Sequence, residues 1–279
     1  MFRDELREFM INQLGDMAHN VADKTADNIQ NRRNNPFNLF EDNEAKYMAV
    51  GRSLDSQLGT RLQKIAFFIA RYTYGFGRVP NIIAMREGRT GIVVKTLSYP
   101  DRLGMTQFLY WGGYATNYLN VRCCKEYADF PNLFAYHVYR FPNFPSDEIR
   151  NMIGQRRIIP IDLFYLDYNG MAHSYEIKAG GNLDTKNKVE NYNEVLRLEK
   201  VFSMFENSIS KFATCYNNKG EGNAPDGAIF GMLDAGHVAI GRAFWEEVLP
   251  GEVSYNEFVA LYQEAFEIAR VKEIIINGN

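Results

Sequence analysis

The chain has 279 residues, 46% hydrophobic and 23% charged, enough to bury a sizeable core in one large domain or two small ones. Its 34 acids and 31 bases leave a formal charge of −3, which argues against indiscriminate nucleic-acid binding but allows a local basic cleft. Three cysteines, two of them vicinal at Cys123 and Cys124, support neither a disulfide framework nor a zinc site.

The first residues include Asp4 and Glu5 where a secretion signal would be apolar, and no apolar run reaches the roughly 18 residues of a membrane span. A cytoplasmic protein with reduced thiols and no membrane partner is expected. Leu6, Phe9, Met10, Gln13, Leu14 and Met17 recur at helical spacing and predict a helix over residues 1 to about 30. The polar run from Arg32 to Pro36 predicts a loop. A second helix is expected from about Asp55 to Tyr72, with Leu58, Leu62, Ile65, Phe68, Ile69 and Tyr72 on one face and Gly75, Gly77 and Pro80 ending it.

Residues 91–95 and 133–139 read as strands, and a short polar helix bearing Arg150, Arg156 and Arg157 is expected after Pro145. Residues 158–166 and 174–179 are further strand candidates. A long helix is predicted from about Val189 to Tyr216, with Val195, Leu198, Phe202, Phe205, Ile209 and Phe212 along one seam. Strands at 228–233 and 237–240 and a helix from about Tyr255 complete the chain. Intermixed strands and helices predict an α/β fold with a mixed central β-sheet flanked by helices. One domain over 1–279 is expected, mainly helical in 1–75, with the sheet and its helices in 76–279.

The chemistry concentrates in Pro160-Ile161-Asp162 and Glu176-Ile177-Lys178. Two residues apart on a strand, Glu176 and Lys178 leave the same face, while Tyr175, Ile177 and Ala179 face the other way. Register decides whether Asp162 joins them. A two-residue loop at Asn169-Gly170 would pair Asp162 with Ile177; a three-residue loop, Tyr168-Asn169-Gly170, pairs it with Glu176. Asp167 and Gly170 stand where a type I turn with a bulge wants Asp and Gly, which favours the second. Opposed residues have β-carbons about 4.5–5.5 Å apart, close enough for two carboxylates to share one cation.

Hard oxygen ligands suit magnesium. A divalent cation there would polarise a phosphate and acidify a water, and Lys178 beside it would orient that water and offset developing charge. The pattern fits phosphodiester hydrolysis; a structural ion pair is the alternative. Glu44-Ala45-Lys46 repeats the E-x-K spacing in a helical stretch with no preceding aspartate strand, so the triplet alone is a weak signal.

The segment Ile159-Pro160-Ile161-Asp162 followed by Tyr175-Glu176-Ile177-Lys178-Ala179-Gly180-Gly181-Asn182-Leu183-Asp184 resembles the PD-(D/E)XK core of type II restriction endonucleases, TdeIII-like ones in particular. The stretches 58–66 and Ile240-Gly241-Arg242-Ala243-Phe244-Trp245 resemble an early helix and a late segment of that group. The resemblance implies a restriction-endonuclease-like fold and a homodimer that cuts a short double-stranded DNA site with Mg2+. It implies Asp162, Glu176 and the Ile177 backbone carbonyl as metal ligands, and Lys178 as the catalytic lysine. Gln63 stands where the early helix often carries a supporting glutamate; an amide can hold a metal-bound water but adds no charge.

Asp184, Lys186 and Asn187 are candidate supporting residues, or a polar helix entry. Arg156 and Arg157 are candidate DNA contacts, or a solvated helix end. His173, an odd number of residues from Glu176, is expected on the opposite face in a structural role. A repair or recombination nuclease of the same fold and a non-catalytic nucleic-acid-binding protein are the alternative functions.

Overall fold

The computed structural model describes residues 1–33, 42–89, 91–98, 107–111, 134–141, 158–180, 188–225 and 228–277. Its helices are α1 (Phe2–Arg33), α2 (Asp42–Tyr74), α3 (Lys188–Phe202), α4 (Arg242–Val248), α5 (Tyr255–Ile268) and α6 (Val271–Asn277). Its strands are β1 (Ile82–Gly88), β2 (Gly91–Ser98), β3 (Gln107–Trp111), β4 (Phe134–Phe141), β5 (Ile158–Ile161), β6 (Leu163–Leu166), β7 (Ala172–Gly180), β8 (Ser208–Tyr216) and β9 (Val238–Ile240). They form two compact units: Met1–Ile65 with Leu249–Asn279, and Ala66–Val248. Among the described residues no helix is long and apolar enough to cross a membrane.

The first unit is helical. Leu6, Met10, Leu14, Met17 and Val21 recur at steps of three and four along α1 and are fully buried, against α5 and α6 among others. Ser254 caps α5 with a capping box: its hydroxyl accepts from the Glu257 N–H, and the Glu257 carboxylate returns to the Ser254 N–H. Arg3 pairs with Glu257 at 2.7 Å and Arg7 with Glu264 at 3.0 Å, both exposed pairs that add little stability.

The second unit holds two mixed sheets, in strand orders β4-β2-β1-β3-β5 and β6-β7-β8-β9. The α/β class holds. In the first sheet β1 and β3 run parallel and the other pairs antiparallel; in the second β7, β8 and β9 run parallel with β6 antiparallel at the edge. Ile83, Met85, Ile92, Val94, Leu109, Ile159 and Ile161 cover one face of the first sheet and pack with Phe164, Leu166, Leu198, Phe202 and Phe205 in one core. The chain from 158 to 166, continuous in sequence, changes sheet at Asp162, where the backbone bends.

Gln107 ties this crossing together. It is buried, its Nε2 donates to the Pro80 carbonyl at 2.6 Å and the Phe164 carbonyl at 2.8 Å, and its Oε1 accepts from the Phe164 N–H at 2.6 Å. One amide side chain satisfies three backbone groups at the gap between β3 and β6.

The structure corrects three expected elements. The predicted helix through Tyr216 ends at Phe202, and Ser208–Tyr216 is strand β8 in the centre of its sheet. Phe205, Ile209 and Phe212 fit a helical seam, and the strand partner that overrides it, β7, lies too far back in sequence for local periodicity to reveal. Residues 228–231 are a single 3₁₀ turn rather than a strand; it sets Phe230 and Leu233, three apart, over Phe212 and Val195. The second helix begins at Asp42, not near Asp55. The helix expected around Arg150, Arg156 and Arg157 and the loop at 34–36 lie outside the described residues; Arg32 and Arg33 end α1.

Candidate active site

The hairpin joining β6 and β7 sets the geometry. Asp167 and Met171 close its turn, with the Asp167 N–H donating to the Met171 carbonyl at 3.0 Å, and Gly170 takes a left-handed φ of 82°. The Asp167 carboxylate accepts the N–H groups of Asn169 and Met171, both at 2.8 Å, and fixes the loop at three residues. Pairing then runs Leu166 with Ala172, Tyr165 with His173, Phe164 with Ser174 and Leu163 with Tyr175. One step further lie Asp162 and Glu176, the expected register.

The ladder stops there because the chain bends at Asp162. The Ile177 N–H, which would otherwise lose its partner, donates to Oδ2 of Asp162 at 2.7 Å. N–H and C=O of one strand residue leave along the same edge, so the Ile177 carbonyl lies on the Asp162 side of β7. Glu176 and Lys178 share the opposite face from the buried Tyr175 and Ile177, and the Lys178 Nζ donates to Oε1 of Glu176 at 2.6 Å. The pair is only half withdrawn from water, with Lys178 36% and Glu176 17% exposed.

Enclosure raises the Asp162 carboxyl to about 7, and the neighbouring Glu176 charge pushes the same way; the Ile177 N–H and Lys178 oppose both. Burial works against the Lys178 ammonium, but the charge and hydrogen bond of Glu176, then Asp162 and Glu190, outweigh it and raise its pKa. Two carboxylates and a lysine are therefore mutually in range. Glu190, in the first turn of α3, was not singled out by the sequence reading because E-x-K spacing says nothing about the next helix.

Asp162, Glu176, Lys178 and the Ile177 backbone thus come together. Gln63 sits on α2 within the first unit. Arg156, Arg157, Asp184, Lys186 and Asn187 lie outside the described residues. Among the described residues no cluster of three or more His, Cys, Asp and Glu suits a metal ion; the donors here are two carboxylates and a carbonyl. These are hard oxygens, and two carboxylates that repel each other are the arrangement a divalent cation relieves.

His173 takes the structural place expected of it on the other face. Its ring stacks on Tyr165 at 4.7 Å, and Nε2 is 3.5 Å from Oδ2 of Asp167, too far for a well-formed hydrogen bond. On that face Tyr165 and Tyr175 share a hydroxyl contact of 3.0 Å, and Tyr175 donates to Glu247, which also pairs with Lys211 at 2.6 Å.

No curated protein and no solved structure matches the chain. Residues 146–265 match the family model of the type II restriction endonuclease HinfI. The match does not bear on the narrower TdeIII-like grouping. It spans Asp162, Glu176 and Lys178 with the β6–β9 sheet and α3, so this part of the chain is similar to that type II restriction endonuclease family.

Proposed function

We propose that the chain is a type II restriction endonuclease of the PD-(D/E)XK kind, which uses Asp162 and Glu176 to hold magnesium and Lys178 to activate water at a phosphodiester of duplex DNA. One observation carries the reading: the Asp162 carboxylate, fixed by the Ile177 N–H, lies within charge range of Glu176 and Lys178. The Ile177 carbonyl completes the donor set. Magnesium, when bound, supplies Lewis acidity toward the phosphate.

The chain's own groups do the rest. Glu176 keeps Lys178 charged and aimed along the strand face. The Lys178 ammonium orients the attacking water and offsets negative charge as it builds on the phosphorus oxygens. The Ile177 N–H holds Asp162 in one orientation, so the acid pair needs no rearrangement when substrate arrives. Gln63, Asp184, Lys186 and Asn187 as supporting residues, and Arg156 and Arg157 as phosphate contacts, belong to the same reading on sequence position alone.

A homodimer, with two sites related by a two-fold axis, would match the symmetry of a palindromic duplex. The free, buried Cys215 suits a cytoplasmic setting. The reading keeps 1–279 as one restriction-endonuclease-like domain.

The decisive experiment digests a fully sequenced phage DNA with magnesium and maps the ends. Discrete fragments that vanish with a chelator support the reading. A smear or a preference for branched substrates points to a repair nuclease. Intact DNA at every magnesium and manganese level sinks the proposal, and sedimentation of the protein with and without its duplex tests the dimer.

A further inference from the structure

We infer that Tyr216 and the loop 217–225 after it form a rigid DNA-contacting edge beside the active site, with the Tyr216 phenol as the strand contact nearest Lys178. The inference rests on the proposed catalytic role of Asp162, Glu176 and Lys178.

Strands β7, β8 and β9 run parallel, so their C-terminal ends gather along one edge of the sheet. In the β7–β8 register Glu176 pairs with Phe212, Lys178 with Thr214 and Gly180 with Tyr216. Paired residues of neighbouring strands share a face, and the face alternates with period two. Tyr216 therefore stands on the Glu176 and Lys178 face, one step beyond the lysine. The ring lies across Gly180: a β-carbon there would fall 2.0 Å from Cζ and 2.4 Å from Cε1 and Cε2. Any other residue at 180 would drive the ring out. Although pinned in this way, Tyr216 stays 47% exposed, an aromatic ring and hydroxyl presented to solvent at the mouth of the site.

A second glycine holds the loop that follows. The Glu221 carboxylate turns back to accept the Asn217 N–H at 3.3 Å and the Arg242 N–H at 3.0 Å. Its approach passes over Gly241, where a β-carbon would meet Oε1 at 2.3 Å and where φ is 54°. Within the loop the Asn217 amide donates to the Asn223 carbonyl at 2.8 Å, and the Asn223 amide to the Lys219 carbonyl at 2.7 Å. Glu221 spends its charge on these backbone donors.

An exposed loop has no folding need for such fixation. Two glycines at one sheet edge, each making room for a side chain of the 216–221 segment, argue that the position of this edge matters. What it presents is the Tyr216 phenol, whose hydroxyl can donate to phosphate and whose ring can stack on a base, with the exposed Lys219 in the loop beside it. Duplex DNA, with its scissile phosphate at Lys178, is the ligand this chemistry fits.

The test compares Tyr216→Phe, Tyr216→Ala and Glu221→Ala with the parent protein. Steady-state cleavage of a mapped site is measured alongside equilibrium binding of uncleaved duplex in a Lys178→Ala background. Loss of a hydrogen bond to a charged group predicts that Tyr216→Ala raises KM and Kd about 10-fold or more, with the melting temperature held. Tyr216→Phe shows the hydroxyl's part of that loss, and Glu221→Ala weakens binding by freeing the loop. Gly180→Ala, which expels the ring, reproduces the Tyr216→Ala defect if it folds. Variants that bind and cut within twofold of the parent, or lose only thermal stability, overturn the assignment while the catalytic reading stands. A parent protein that neither binds nor cuts duplex overturns both.

Discussion

The carboxylate of Asp162 accepts the N–H of Ile177 at 2.7 Å, in the place a backbone carbonyl would take had the β6–β7 ladder run on. A side chain thereby substitutes for a strand. The acid gains a fixed orientation, and the strand that carries Glu176 and Lys178 keeps its edge satisfied.

Asp162→Asn retains an oxygen for the Ile177 N–H and removes the charge. The fold survives, with a melting temperature close to the parent, while duplex cleavage falls by about 100-fold or more, the scale of losing a preorganised electrostatic group. Asp162→Ala also orphans the Ile177 N–H and costs a further ~1–3 kcal/mol of stability in denaturant unfolding. An Asn variant that cuts at the parent rate would remove Asp162 from the site.

Lys178→Ala leaves the fold and DNA affinity in place and lowers kcat, again by about 100-fold or more. Lys178→Arg does not rescue it, because the planar guanidinium replaces a compact ammonium held on Glu176. Single-turnover cleavage against duplex binding separates the two effects, and a variant whose loss lies wholly in KM would contradict the catalytic role.

Gln107→Leu strands the Pro80 and Phe164 carbonyls and the Phe164 N–H, all in a buried place. A loss of about 2–5 kcal/mol in urea unfolding is expected, from two or more unsatisfied groups. A shift in midpoint within error would mean that the backbone finds other partners.

How far the site could be read from sequence follows from which interactions are local. The turn chemistry of Asp167 and Gly170 sits within five residues and determines the register that puts Asp162 opposite Glu176, so the acid pair was legible. The bend that ends the ladder was not, since the nearby Pro160 lies within β5, paired with Phe108, and nothing local says that the chain changes sheet two residues later. β1 escaped detection because residues 81–85 are buried on both faces and show no alternation. Gln107 was illegible for a different reason: its partners lie 27 and 57 residues away. Phe205, Ile209 and Phe212 satisfied a helical count that tertiary pairing with β7 overrode.

The turn itself makes stability depend on pH. Burial lowers the His173 pKa below 6.5, more than Asp167 and Glu247 raise it, and Lys211 lowers it further. For Asp167, burial is outweighed by the Met171 and Asn169 N–H bonds and by His173, and the pKa falls below 3.8. Both folded values are depressed. The His173 contribution is therefore complete above its unfolded pKa of 6.5 and is lost as pH falls toward the lower folded value; that of Asp167 is lost only below about 3.8. Asp162, raised to about 7, acts with the opposite sign, so the comparison belongs in an Asp162→Asn background. There, His173→Phe, which keeps the stack on Tyr165, flattens the stability profile between neutral and mildly acid pH. Parallel profiles for the two proteins would refute the assignment.

The crossing of one continuous chain between two sheets at Asp162 also links the acid pair to both of them. The hairpin of β6 and β7 aligns the aspartate with Glu176, while β5, immediately before it, is held by β3 in the other sheet. Loosening of either sheet would therefore be felt at the aspartate, even where no catalytic group is touched.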